Sequence, residues 1–273
     1  MEPSGASEAS RATVRYCAVL AYDGTDYQGF QRLSEGGPSV QAEFEAALAK
    51  VSGQQVTIIG AGRTDTGVHA TGQVIAFDLA WKHEDDDLIR AVNALLPTDI
   101  ALQRLDRVKP DFHPRFDATS RTYQYFVYEA QIRQPMMARM SWWVRPPIHT
   151  RLDVDKMNWA AAKLLGTHDF ASFGAPPQGE NTARRVYLSE WEIEVPTQGT
   201  RLISYCIEAN AFLYHMVRSV VGSLVEVGLN HMTIEAFIEA FQAKDRGRIT
   251  KMAPPHGLTL IEVTYGGKTP AGE

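Results

Sequence analysis

Twice along this chain a two-residue alternation of apolar side chains gives way to a 3.6-residue period and then returns, in nearly the same order. Alternation marks a strand with one buried face, and the longer period marks a helix with one apolar stripe. The first pass alternates from Thr13 to Tyr22, then turns helical at Val40, Phe44, Ala47, Leu48 and Val51, with Ser39 as cap and Gly53 as stop. Short strands follow at "QVTIIGA" and "QVIAFDL", then a helix through Leu88, Ala91, Val92, Leu95 and Leu96 halted by Pro97, then the strand "IALQRLDRV". After the polar link "KPDFHPRFDATS" the order restarts: strand "RTYQYFVYEA", a helix on Met157, Ala160, Ala161, Leu164 and Leu165, strands "RRVYLSEWEIEV" and "RLISYCIEANA", two helices, and a last strand "LTLIEVTY". βαββαβ followed by βαββααβ predicts an α+β protein of two ferredoxin-like halves, each a mainly antiparallel sheet with helices on one face. The boundaries expected are a disordered N-terminal tail over 1–12, a first half over 13–110, a second over 111–266 and a flexible tail over 267–273.

Composition fits such a chain. With 44% hydrophobic and 22% charged residues, its 273 residues suffice for one large core or two modest ones. The opening "MEPSGASEASRA" has no apolar run resembling a signal peptide, and no later segment has the unbroken apolar stretch of a membrane span, so a cytoplasmic location is expected. Cys17 and Cys206 both fall in strand-like segments and read as buried reduced thiols, and no Cys/His spacing resembles a metal site. The net charge of −5 argues against a uniformly basic nucleic-acid binder but says nothing of where charge lies.

Between the second and third strands lies "GAGRTDTGVHATG", Gly60 to Gly72. Its glycines allow tight turns and close approach of a ligand. Asp65 reads in two ways here: as a turn cap bonded to a backbone amide, or as a reactive carboxylate kept ionised by Arg63 two residues away. A phosphate-cradling loop is a weaker reading, because neither G-x-x-x-x-G-K-[ST] nor G-x-G-x-x-G leads into a helix.

"GRTDTGVHATGQV" resembles the signature loop of the tRNA pseudouridine synthase A (TruA) family. "YDGTDYQGFQR", "SVQ", "FHPRFDATSRTYQY", "GTHDFASF", "FLYHMVRSVVG" and "APPHGL" resemble family segments in the same order, and only the two tails fall outside. Phe30 stands where tryptophan is common and Pro255 where alanine is common. The resemblance implies a pseudouridine-synthase fold and the isomerisation of uridine to pseudouridine at positions 38, 39 and 40 of the tRNA anticodon stem-loop, with no cofactor and no metal. It implies Asp65 as the catalytic aspartate, acting as nucleophile or base, with Arg63 pairing with Asp65 and filling the gap left in the RNA by the everted nucleotide. Tyr123 matches the tyrosine stacked on the target uracil, Leu258 an apolar residue of the pocket, and Arg218 a pocket arginine whose burial a carboxylate would offset. His69 is placed with the substrate-binding residues; His69, His215 and His256 also read as structural histidines. A homodimer cradling tRNA is implied.

Lys109, Arg115, Arg121, Arg133, Arg139 and Arg145 form an arginine-rich stretch with few acids, Arg184 and Arg185 add a pair, and acids cluster elsewhere as in "HEDDD". That distribution suits a basic RNA-binding surface as well as a solvated face. Two rival functions remain. A non-catalytic RNA-binding module lacks its expected aromatic motif in "GQVIAFDL", and a nucleoside or glycoside hydrolase using Asp65 would need a second carboxylate that the sequence does not identify.

Overall fold

The computed structural model describes residues 12–177, 179–194, 200–249 and 251–266; the tails expected at either end therefore lie almost wholly outside the described residues. The two repeats fold as two copies of one topology. In the first, β1 (Val14–Tyr22), α1 (Val40–Ser52), β2 (Ile59–Gly60), β3 (His69–Leu79), α2 (Asp85–Asn93) and β4 (Ile100–Arg107) place β1 between β3 and β4, both antiparallel to it. In the second, β5 (Ala118–Glu129) lies between β9 (Arg201–Ala209) and β10 (Leu258–Tyr265), again antiparallel to both, with β8 (Ala183–Ile193) outside β9. Two short strands, β6 (Trp142–Val144) and β7 (Gly166–Asp169), extend β5 and β8.

The halves are not separate sheets. A short parallel pairing of Thr259 and Leu260 on β10 with His69 and Ala70 on β3 joins them into one ten-stranded sheet. Each half keeps its own core on the same sheet face. Tyr16, Ala18, Leu20 and Tyr22 meet Phe44 and Leu48 of α1 and Leu88 of α2. Tyr125, Val127, Ile203, Tyr205 and Ile207 meet α3 (Val154–Ala161), α4 (Met216–Gly228) and α5 (Ile234–Gln242). Tyr123 packs against both clusters. The caps agree with the sequence: the Ser39 side chain accepts from Ala42 N–H, and Gly53 takes the left-handed conformation that ends α1. Cys17 is buried, Cys206 is half-buried, and both are free thiols. No helix among the described residues is long and apolar enough to cross a membrane.

The expected strand "QVTIIGA" shrinks to Ile59–Gly60, and β3 starts at His69 rather than Gln73. Side chains of α1 take the place of a strand partner: Ile58 N–H donates to Glu45 (3.0 Å) and Gln41 donates to Ile58 O (3.2 Å). The free edge of β3 is thereby shared, with β2 opposite Ile75 and Ala76 and β10 opposite His69 and Ala70. The loop Ala61–Val68 occupies the gap between them, where the two halves meet.

Candidate active site

The loop is fastened along its length. Ala61 N–H donates to Val74 O (2.8 Å), Phe30 N–H to Thr64 O (3.1 Å), and Gly67 N–H to Tyr27 O (3.3 Å). The Thr64 hydroxyl lies 2.8 Å from Tyr22 Oη, and Gln73 donates to Gly62 O (2.9 Å). The segment "YDGTDYQGFQR" runs directly beneath, and two glycines permit it. A Cβ on Gly24 would sit 2.0 Å from Val68 O, and one on Gly29, at φ +100°, 2.8 Å from Thr64 O.

So held, Asp65 points its carboxylate at α4, and its side chain is 20% exposed. Arg218 Nη1 donates to Oδ2 (3.3 Å), while Arg218 Nε donates to Ala253 O (2.9 Å) and Ala253 N–H returns a bond to Arg218 O (2.9 Å). The Arg218 side chain is 11% exposed, and its burial is offset by this charge-assisted pair. His215 Nε2 lies 3.5 Å from the same Oδ2. Burial, with the charges of Arg218 and Arg246, holds the His215 imidazole below its ordinary range against the opposing pull of Asp65.

Tyr123 stands on β5 across from Leu260, its ring edge-to-face with Phe212 at 5.2 Å. Its hydroxyl borders the loop, since a Cβ on Gly62 would lie 3.9 Å from it. Burial first, then the nearby Tyr22 and Asp65, push the Tyr123 phenol well above its ordinary range, so it remains protonated at neutral pH. Leu258 opens β10 opposite Tyr125 and is buried in the second core.

Three expectations change. Arg63 is exposed, and among the described residues Asp65 pairs with Arg218 and meets His215 instead; neighbours in a turn diverge, whereas α4 projects Arg218 at the carboxylate. His69 is 1% exposed, with Nδ1 bonded by Gly24 N–H (3.0 Å) and Nε2 facing the carbonyls of Arg139 (3.1 Å) and His256 (3.0 Å). Both ring nitrogens are occupied within the protein, so His69 clasps three segments together and has none left for a substrate. Arg121, expected among RNA-facing cations, donates to the carbonyls of Arg115 (2.6 Å) and Asn210 (2.9 Å). His215 is the residue that sequence reading left as structural. It stands before the first turn of α4 in the left-handed conformation, so residue spacing carried no signal of its approach to Asp65.

A family model described as tRNA pseudouridine synthase matches residues 18–117 and 160–266. A protein of Shewanella woodyi named tRNA pseudouridine synthase A is 43% identical over 253 residues, covering 92% of this chain and 93% of the relative. Proteins of the same name from Neisseria meningitidis serogroup C (39%, 92% of each chain) and Pseudothermotoga lettingae (38%, 92% of this chain and 99% of the relative) match to similar extent.

The chain belongs to the tRNA pseudouridine synthase family. It is an isomerase that converts uridine in tRNA to pseudouridine. A tRNA pseudouridine synthase breaks the C1′–N1 bond, forms a C1′–C5 bond and moves one proton from C5 to N1, so atoms and electrons balance without an oxidant, reductant or donor. The matched segments contain Asp65, Arg218 and Leu258 and leave out residues 118–159, Tyr123 among them. Groups of three or more His, Cys, Asp or Glu side chains able to hold a metal ion are absent among the described residues.

Proposed function

We propose that this synthase acts at uridines 38, 39 and 40 of the tRNA anticodon stem-loop, with Asp65 as the carboxylate that meets the ribose. The observation that carries the catalytic assignment is the fastening of Asp65 between the halves with Arg218 on one oxygen. A turn-capping aspartate has no need of a guanidinium brought from another half of the chain. A hydrolase pairing a nucleophile with a protonated carboxyl is less well supported, because Asp65 meets an arginine and a histidine and no second carboxyl group among the described residues.

Asp65 either attacks C1′ as N1 departs with the bonding pair, or takes the 2′ proton in a glycal route. Tyr123 stacks on the uracil and remains a phenol able to donate a proton or hydrogen bond. Arg218 holds one oxygen of Asp65 in place. Arg63, at the exposed loop tip, is free to occupy the space vacated by the everted nucleotide. Leu258 lines the apolar side of the pocket. The two halves act as the units 13–110 and 111–266, two copies of the chain form a homodimer across which tRNA lies, and the enzyme works in the cytoplasm without a cofactor.

Pseudouridine mapping of tRNA before and after incubation tests this reading. New pseudouridine confined to positions 38–40 is the expected result; modification elsewhere in the tRNA overturns the site assignment.

A further inference from the structure

The contacts of Asp65 are lopsided. Arg218 and His215 both approach Oδ2, at 3.3 Å and 3.5 Å, and no hydrogen bond reaches Oδ1 among the described residues. We propose that His215 is a positioning residue for the isomerisation, which together with Arg218 fixes Asp65 through Oδ2 and leaves Oδ1 as the oxygen that reacts. The inference rests on Asp65 being the catalytic carboxylate.

His215 is built for that place. It takes the left-handed conformation at φ 65°, which a non-glycine residue adopts rarely and histidine more readily than most. It precedes α4 without capping it, so its ring is not used on the helix N–H groups. Such strain persists only where the surroundings impose it, and here they do. Tyr214 N–H donates to Ala175 O (2.9 Å), and Leu213 and Met216 on either side are buried. Gly174 has no room for a Cβ, with Leu213 Cβ at 2.7 Å and Tyr214 O at 2.6 Å. The imidazole lies against the Tyr214 ring, centroids 3.7 Å apart. The turn is thus clamped in the one conformation that sends the ring to Asp65. A separation of 3.5 Å exceeds a normal hydrogen bond, and contacts of this kind commonly close when substrate seats.

The charge state decides the consequence. The ionisable groups facing His215 are Asp65 on the loop, Arg218 on α4 and Arg246 in the turn after α5. Burial and the two arginines keep the ring neutral at neutral pH, so that Nε2–H, 3.5 Å from Oδ2, can close on that oxygen as a neutral donor when substrate seats. Protonation at lower pH would set two full cations on one carboxylate and make Oδ1 a poorer nucleophile or base. Activity then falls as pH drops through the pKa of His215, below the ordinary 6.5.

Single-turnover rates and tRNA affinities of three variants across pH 5–8 test this. His215→Asn suits the left-handed backbone but is too short to reach Asp65; its rate should fall about tenfold or more while tRNA affinity stays within about twofold. His215→Gln restores a donor that does not titrate, so it should recover much of the rate and lose the acid limb. A wild-type-like rate in His215→Asn, a loss confined to affinity, or an acid limb persisting in His215→Gln overturns the proposal. Should the asparagine variant fail to fold, His215→Gly, the residue best suited to a left-handed backbone, takes its place, and a wild-type-like rate there overturns it equally. Asp65→Asn measured alongside separates the two levels: turnover there sinks the reading of Asp65 itself, whereas a dead Asp65→Asn with unaffected His215 variants sinks only this inference.

Discussion

At the scale of residues, binding and chemistry separate at Asp65 and Arg63. Asp65→Asn keeps a side-chain oxygen to accept from Arg218 and so should fold normally and bind tRNA within about tenfold of wild type, a difference of roughly 1.4 kcal/mol. It can neither attack C1′ nor take a proton, and pseudouridine formation should vanish. If Asp65 merely capped its turn, asparagine would serve nearly as well. Affinity and yield measured on one preparation distinguish the two. Arg63 is exposed and outside the ion pairs of Asp65, and the role proposed for it is contact with RNA. Arg63→Lys should therefore remain strongly impaired, since an ammonium lacks the planar fork and stacking face of a guanidinium. Near-normal turnover would mean that charge alone is required there.

At the scale of elements, two glycines with positive φ make a matched pair. Gly53 ends α1 at φ +70° with open space around it, whereas Gly29 combines φ +100° with a contact that places a Cβ 2.8 Å from Thr64 O. Gly53→Ala should cost about 1 kcal/mol of stability through strain alone, leaving turnover per folded molecule unchanged. Gly29→Ala should cost a similar amount or more, about 1–3 kcal/mol, and also push the Asp65 loop aside, lowering turnover at least about tenfold. Melting curves and rates on both variants check this, and equal effects on turnover would show that the loop does not depend on Gly29 for its placement. The same elements show what the sequence could reveal. Strand–helix order, caps and the Asp65 loop were legible because periodicity and glycine chemistry are local. β2 was overread because Gln41 and Glu45, more than ten residues away, supply the bonds that a strand would have made. The Arg218–Asp65 pair could be anticipated only through family resemblance, since 153 residues separate the partners, and the approach of His215 to Asp65 depends on a backbone conformation that no pattern of residue types encodes.

At the scale of the molecule, a net charge of −5 has to be reconciled with a polyanionic substrate. Four acids stand together around one thiol: Glu190, Glu192, Glu208 and Glu262 surround Cys206 and, after burial itself, push it up to about 11. Cations elsewhere differ in how far they remain available. Arg121 is spent on backbone carbonyls and Arg139 on Asp23 and Asp26, whereas Arg133 and Arg145 are exposed without ion pairs among the described residues. Only charges not already neutralised within the protein can replace counterions on RNA, each contributing a slope of roughly −0.7 to −0.9 in log affinity against log salt. Affinity for tRNA should consequently weaken steeply with salt, and Arg133→Gln and Arg145→Gln should each make that dependence shallower by about that amount. Arg139→Gln should change it less, because its charge is shared with two carboxylates. Glu190→Gln, in that acidic group, should leave the slope unaltered. If the three arginine substitutions make the slope shallower by the same amount and Glu190→Gln steepens it by that amount, tRNA senses only the total charge of the protein, and the division of the surface into an RNA-facing and an RNA-averse side fails.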